Sequence, residues 1–299
     1  MEELSRRILV LGARGRLAGS LIKNWSARHR VVALARPDLD VSDVESLRRL
    51  LGETDFDVLV NGTGLTNVDL CETNRDEAER LNAIAPGVMA ECAGARGAKM
   101  IHVSTDYVFD GTKEAPLTET DPVLPCGWYG RTKLSGEHRV LAAGPQHVVA
   151  RVSWVFGPAK PSFVDALIDR ACNHAQVSAV SDKFSSPTFA EDVADWLAPF
   201  LGTGAPGGLY HACNSGSCSW QEYGTRALEI AAALGLPLRT TTVDPTALAD
   251  MKQFIAPRPV YSILSTRKLA ATIAHTPRHW HDALQDYIFK KYAPLPSQP

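Results

Sequence analysis

The chain has 299 residues, 45% of them hydrophobic, and a formal net charge of −2 from 31 basic and 33 acidic side chains. That balance is ordinary for a globular protein and excludes a nucleic-acid partner recruited by basic excess. No apolar run approaches the roughly 20 residues that span a bilayer, and MEELSRRILVLG runs straight into a strand-like segment without a cleavable leader pattern, so neither a membrane partner nor a signal peptide is expected.

Five short apolar runs, Ile8–Leu11, Val31–Ala35, Val58–Val60, Met100–Val103 and Val148–Val152, alternate with helix-like stretches at 15–28, 43–52, 74–96 and 127–143. Unbroken runs of this length predict strands buried on both faces, and their alternation with helices predicts βαβ units with right-handed crossovers. The expected fold class is α/β, a Rossmann-type doubly wound parallel sheet. Pro86 is expected to kink or split the third helical stretch. After Arg151, helical character returns at 162–175, 189–201 and 219–235, Gly and Pro cluster at 202–208, and extended or loop segments follow at 236–263. The expected organisation is a dinucleotide-binding domain over 1–155, its sheet completed by parts of 176–212, and a smaller C-terminal substrate-binding lobe over 156–299. The tail PLPSQP is expected to fray.

The first strand–helix junction reads ILVLGARGRLAGSL, in which Gly12, Gly15 and Ala18 follow G-x-x-G-x-x-G/A. The first glycine allows a sharp turn, the second a close approach of backbone to a pyrophosphate, and the small third residue close helix–strand packing. The helix N-terminus behind them offers N–H donors and a positive dipole. Gly12, Arg14, Gly15, Arg16 and Leu17 are therefore cofactor candidates. The second strand, VVALAR, ends in Arg36 rather than in the carboxylate usual at NAD sites. Two guanidiniums, Arg14 and Arg36, favour the 2′-phosphate of NADPH, with NADH still possible; Arg36 as a merely solvated loop residue is the alternative.

The fourth strand ends MIHVSTDYVFDG, which brings Ser104, Thr105, Asp106 and Tyr107 to the carboxyl edge of the sheet, where ligands of such folds bind. Downstream, Tyr129 and Lys133 stand at i and i+4 in WYGRTKLSGE, on one helix face. By spacing alone they could be an ordinary surface pair. Beside a nicotinamide they acquire a task. Carbonyl reduction needs hydride at carbon and a proton at oxygen. An ammonium next to a phenol, whose ordinary pKa is ~10, tunes it for that transfer. Thr105 is expected to donate to the carbonyl and hold it in line, and Gly130 to let the helix start close to the cofactor.

The six cysteines, at 71, 92, 126, 172, 213 and 218, form no C-x-x-C and no zinc-spaced cluster. Free thiols of a reducing compartment, a cytoplasmic location and no metal are expected. His279 and His281 flank Trp280 at i,i+2, a spacing that diverges on a helix.

Together the glycine loop, STDYVFDGT and Y-x-x-x-K resemble the extended short-chain dehydrogenase/reductases. NVDLCE (67–72), LTETDPVLP (117–125), YGRTKLSGE (129–137), RVSWVFG (151–157), DKFSSPT (182–188) and RPVYSIL (258–264) narrow the resemblance to the RmlD-type dTDP-4-dehydrorhamnose reductases, from about residue 8 to about 265. The resemblance implies hydride transfer from NADPH or NADH to C4 of a dTDP-4-keto-6-deoxy sugar, with Thr105, Tyr129 and Lys133 catalytic. It implies Gly12, Gly15, Asn61, Gly62, Thr63, Asn82 and Ser104 around the cofactor, with Asp40 and Val41 beside the adenine. It also implies Thr66, Val68, Asp69, Tyr107 and Trp154 around the sugar, and Arg258 at the substrate diphosphate. A nucleotide sugar bound by a monomer or homodimer is the expected partner.

The sequence departs from that pattern at NGTG (61–64), where the family has NAAA, and at Leu70, in place of a lysine. Lys183 and Ser185 replace glutamine and glycine, and Trp128 stands beside the catalytic tyrosine. These changes cluster around sugar and nucleotide, so Lys183 is counted with the substrate residues and the sugar and base stay open. A sugar-nucleotide 4,6-dehydratase would need an Asp-Glu pair where Asp106-Tyr107 stands. An epimerase would retain NAD. A non-catalytic NADP-binding subunit similar to the regulatory β subunit of methionine adenosyltransferase remains the reading from a different class.

Overall fold

The computed structural model describes residues 5–293; the first four residues and the tail PLPSQP, with the fraying expected of it, lie outside the described residues. The five apolar runs become parallel strands β1 (Arg7–Leu11), β2 (Arg30–Leu34), β3 (Val58–Asn61), β4 (Lys99–Thr105) and β5 (Val148–Val152), and Gly208–His211 adds β6. The sheet order is β6-β5-β4-β3-β1-β2, all neighbours parallel. The chain leaves β1 for β2 on one side and then crosses to β3 on the other. The carboxyl ends of β1 and β3 therefore flank the topological switch point, where a crevice must open.

Helices α1 (Arg16–Trp25), α2 (Val44–Glu53), α3 (Val68–Thr73), α4 (Arg75–Glu79), α5 (Ala85–Ala95), α6 (Trp128–Ala143), α7 (Phe163–Asn173), α8 (Ala190–Leu197), α9 (Trp220–Ala233), α10 (Arg267–Ile273) and α11 (Trp280–Tyr292) complete the chain. One sheet face packs on α1 and α8 through Leu21, Trp25, Val193 and Trp196. The other packs on α2, α5 and α6 through Leu47, Met89 and Val140. A separate cluster, in which Phe156 stacks on Phe189, tilts against Tyr223 and meets Tyr287 edge to face, joins α7, α9 and α11. Local signals fix the helix starts: Asp43 accepts from the Ser46 N–H at 3.1 Å, and Ser162/Asp165 and Ser219/Glu222 form capping boxes.

One sequence expectation is corrected and another is met. β2 is not buried on both faces; it is an edge strand paired only with β1, and Val32 is exposed. The stretch 74–96 is interrupted just ahead of Pro86, as expected of a proline inside it. A π-helical turn, Arg80–Ile84, separates α4 from α5, because Pro86 has no N–H to give the carbonyl one turn back. Helices α3, α10 and α11 were not anticipated. Among the described residues no helix is long and apolar enough to cross a membrane, and no group of three His, Cys, Asp or Glu could hold a metal ion. All six cysteines are free thiols.

Candidate active site

A cavity of ≈ 850 Å³ runs along the carboxyl ends of β1, β2, β3 and β4, a volume suited to a large ligand. Its cradle is the loop after β1. Gly12 has φ +85°, and a Cβ there would meet the Gly62 carbonyl at 2.8 Å, so only glycine lets the β1 and β3 loops close up. Gly15 is the N-cap of α1, whose first turn faces the cavity.

At one end of the cavity stand Arg36, Asp40 and Val41, with Arg14 along the wall. Arg14 and Arg36 make no hydrogen bond or ion pair with other described residues, so both guanidiniums are available to a phosphate. Asp40 instead accepts the Ser42 N–H at 2.9 Å, and that bond holds its carboxyl below the usual range. Arg16 corrects the expectation: its guanidinium donates to the carbonyls of Lys160 (3.1 Å), Val155 (3.0 Å) and Pro161 (2.5 Å). It fastens the 155–161 segment over α1 and has little left for a phosphate. Leu17 is mostly buried beneath the same wall.

The side walls are held from behind. Asn61 is fully buried; its amide oxygen takes the Thr63 N–H at 2.9 Å and the Thr63 hydroxyl at 2.6 Å. Asn82, on the π-helical turn, accepts from Leu65 N–H at 2.8 Å and donates to the Leu65 carbonyl at 3.0 Å and to Thr132 Oγ1 at 3.1 Å. Neither asparagine lines the cavity. They shape the 62–66 loop, of which Gly62, Thr63 and Thr66 do line it. Ser104 reaches the wall, but its hydroxyl donates to Glu137 at 2.5 Å, and Glu137 is locked in a buried pair with Arg151 at 2.6 Å.

At the other end Thr105, Tyr129 and Lys133 come together, with Val68, Tyr107 and Trp154 nearby on the wall. Tyr107 and Tyr129 meet edge to face at 5.5 Å, and Trp154, at φ 39°, is held in a left-handed conformation rare for a bulky residue. Burial pushes the Tyr129 phenol well above its ordinary value. It pushes the Lys133 ammonium down to about 8. Lys133 donates to the Val103 carbonyl at 2.6 Å and makes no direct hydrogen bond to Tyr129. Thr105 departs from expectation: its hydroxyl donates to Asp106 Oδ1 at 3.1 Å rather than into the cavity. Gly130 serves α6 packing, since a Cβ there would strike the Tyr107 carbonyl.

Three residues expected at the sugar do not line the cavity. Asp69 and Arg258 form a two-point ion pair, at 2.7 and 3.1 Å, while Arg258 stacks on Phe254 at 3.6 Å. Lys183 is fully buried behind the wall, 5.3 Å from the Tyr107 ring and 5.5 Å from the Trp154 ring, without a hydrogen-bond partner. Trp128 lies outside, under Arg75 at 4.9 Å. Sequence reasoning missed Val103, Val155 and Lys160 as lining residues; the GPAK loop carrying Lys160 has no periodic signal that could have found it.

The chain matches the family described as RmlD substrate binding domain over residues 6–293. It is 35% identical to a dTDP-4-dehydrorhamnose reductase of Mycobacterium tuberculosis, across 94% of this chain and 91% of that protein. It is 34% identical to the spore coat polysaccharide biosynthesis protein SpsK of Bacillus subtilis, across 94% and 96%. A crystal structure of dTDP-4-dehydrorhamnose reductase from Bacillus anthracis in complex with NADP superposes with a TM-score of 0.89 at 25% identity, covering 96% of this chain and 100% of that one.

Proposed function

The chain belongs to the RmlD substrate binding domain family, and from that premise we propose that it reduces the C4 ketone of a nucleotide-linked, dTDP-type 4-keto-6-deoxy sugar with NADPH. The observation that carries this reading is the meeting of Thr105, Tyr129 and Lys133 at one end of a cavity whose other end is a glycine cradle with two uncommitted guanidiniums. The names of the relatives, and the NADP in the neighbouring structure, support the same substrate class and cofactor. Arg14 and Arg36 would hold the 2′-phosphate, and the α1 N-terminus with Gly12 and Gly15 the pyrophosphate.

When bound, NADPH supplies the hydride. The chain supplies the rest. Tyr129, kept protonated by its burial, gives its proton to the ketone oxygen as charge develops there. Lys133, still largely an ammonium at neutral pH with its value at about 8, supplies positive charge beneath the phenol. Thr66, Val68, Tyr107 and Trp154 exclude water and orient the sugar, and Lys183 fills the space behind the two rings. Asp69 and Arg258 join α3 to the 255–258 segment, and Arg258 would have to leave Asp69 to meet a diphosphate. In this reading residues 1–155, with α8 and β6 from 176–212 completing the layers of the sheet, form the dinucleotide-binding domain, and the remaining elements after 155 form mainly the substrate-binding lobe.

Dehydration is disfavoured because Asp106, the carboxylate that would serve it, is 2% exposed and engaged by three serine hydroxyls, while Tyr107 occupies the position needed for its acidic partner. A cytoplasmic location and a monomeric or homodimeric state go with the reductase reading; light scattering checks the second. The test of function is the 340 nm absorbance of NADPH. It should fall only after a dTDP-4-keto-6-deoxy sugar is added. Tight NADPH binding with no oxidation by any keto sugar would instead identify a binding subunit.

A further inference from the structure

Lys183 stands directly ahead of the short strand Phe184–Ser185, and its side chain is fully buried. Its ammonium has no hydrogen-bond partner. It lies 5.3 Å from the centre of the Tyr107 ring and 5.5 Å from that of the Trp154 ring. Both rings line the cavity at the end where Tyr129 stands, and Tyr107 meets Tyr129 edge to face at 5.5 Å. A single layer of aromatic rings thus separates a buried cation from the space beside the acid.

The groups around that cation do not satisfy it. Besides the two rings, the charged or ionisable side chains near it are Asp106, Arg258 and Cys126. Asp106 attracts it, but its oxygens are already engaged. Oδ2 accepts from Ser153 at 2.9 Å, Ser185 at 3.1 Å and Ser262 at 2.6 Å, and Oδ1 takes the Thr105 hydroxyl at 3.1 Å. Arg258 repels it and is itself paired with Asp69. Cys126 Sγ donates to the Pro257 carbonyl at 3.7 Å. The two ring faces attract the charge but give its three N–H groups no acceptor. Burial lowers Lys183 to about 8, so at neutral pH it is still largely an ammonium. A buried donor left unmatched destabilises the fold. Where such a group borders a binding cavity, a ligand that supplies the missing acceptor accounts for it.

We propose that Lys183 is a specificity-determining residue: its ammonium, reached between the Tyr107 and Trp154 rings, donates to the hydroxyl on the sugar carbon next to the ketone. This rests on the reductase reading above. The chemistry of the substrate class selects the hydroxyl. In a 4-keto-6-deoxy sugar the ketone oxygen belongs to Tyr129, C5 carries the C6 methyl group, and C3 carries oxygen. The C3 hydroxyl is therefore the substituent beside the reacting carbon that can accept. The bond is charge-assisted and made away from water, which strengthens it. Lys183 transfers neither proton nor electron; it binds and orients the ring.

The test compares two acceptors that differ in one oxygen, a dTDP-4-keto-6-deoxy sugar with its C3 hydroxyl and the 3-deoxy counterpart. The parent protein should prefer the hydroxylated sugar by about tenfold or more in kcat/KM, the scale of one charge-assisted hydrogen bond. Lys183→Met should reduce that preference to less than about threefold, chiefly by raising the KM for the hydroxylated sugar. Because this substitution removes a buried unpaired charge, the variant should also melt higher than the parent, so a lost preference cannot come from a damaged fold. Lys183→Gln keeps a donor without the charge; its preference should fall between the two, and it serves if Lys183→Met does not fold. A parent protein that treats the two sugars alike overturns the proposal. So does a Lys183→Met protein, or failing that a Lys183→Gln protein, that keeps the parent's full preference. The reductase reading fails separately, if the parent reduces neither sugar. Isothermal titration of the parent and Lys183→Met with the two dTDP-linked sugars then decides the Lys183 contact by the same ratios.

Discussion

Lys133 and His102 face each other beneath the cavity floor, Nζ 3.5 Å from Nε2. Asn61 fixes the arrangement. Its oxygen is committed to Thr63, so its NH₂ donates to His102 Nδ1 at 3.1 Å and the ring proton sits on Nε2, toward the lysine. Burial keeps His102 neutral, its pKa well below the ordinary value. The lysine is thus buried against an N–H dipole, with the Val103 carbonyl as its acceptor.

The pH dependence of turnover follows. Lys133 loses its charge as pH rises through about 8, and the proton transfer loses its cation with it. kcat/KM should decline above that pH. Lys133→Arg cannot deprotonate and should be slower at neutral pH but show no decline in the same window. A pH–rate profile from pH 6 to about 10 checks both statements.

Tyr129→Phe removes the acid and keeps the ring. Turnover should fall by about 10²–10⁴, while NADPH affinity, measured by fluorescence titration, stays within about threefold. Retained turnover would remove Tyr129 as the acid.

Arg36→Ala should weaken NADPH by about tenfold or more, the scale of one lost charge-assisted contact. NADH binding should hardly change. Isothermal titration with both cofactors checks it; equal losses would show that Arg36 does not read the 2′-phosphate.

Lys183 bears on stability. Burial lowers its value from 10.5 to about 8, so between those pH values the unfolded chain binds a proton the folded chain has shed. Stability gains from this group as pH rises through that window, and its penalty is complete below it. That penalty is on the order of 3 kcal/mol at neutral pH, less what the Tyr107 and Trp154 faces return. Lys183→Met should therefore melt several degrees higher at pH 7 and show a flatter stability curve from pH 8 to 10. Urea unfolding at a series of pH values measures it; a Lys183→Met protein less stable than the parent at pH 7 contradicts the account.

Strands β1, β3, β4 and β5 were legible because burial on both faces leaves unbroken apolar runs. β2 has the same composition at a sheet edge, so composition misreported its burial. α11 was missed although Trp280, Ala283, Leu284, Tyr287 and Ile288 carry a helical period that the sequence displays. At the site, the glycine loop and the Tyr129/Lys133 spacing are local and could be read. The Asp106 serines lie 47, 79 and 156 residues away, and the Asp69–Arg258 pair spans 189, so only the folded chain brings them together.

Hydride transfer itself can be followed directly. With NADPH deuterated on the transferred hydrogen and a dTDP-4-keto-6-deoxy sugar as acceptor, mass spectrometry and NMR of the product should find a single deuterium on sugar C4, accumulating about 10²–10⁴ times more slowly with Tyr129→Phe. A product without label at C4, or cofactor oxidation that proceeds without sugar, would contradict the account.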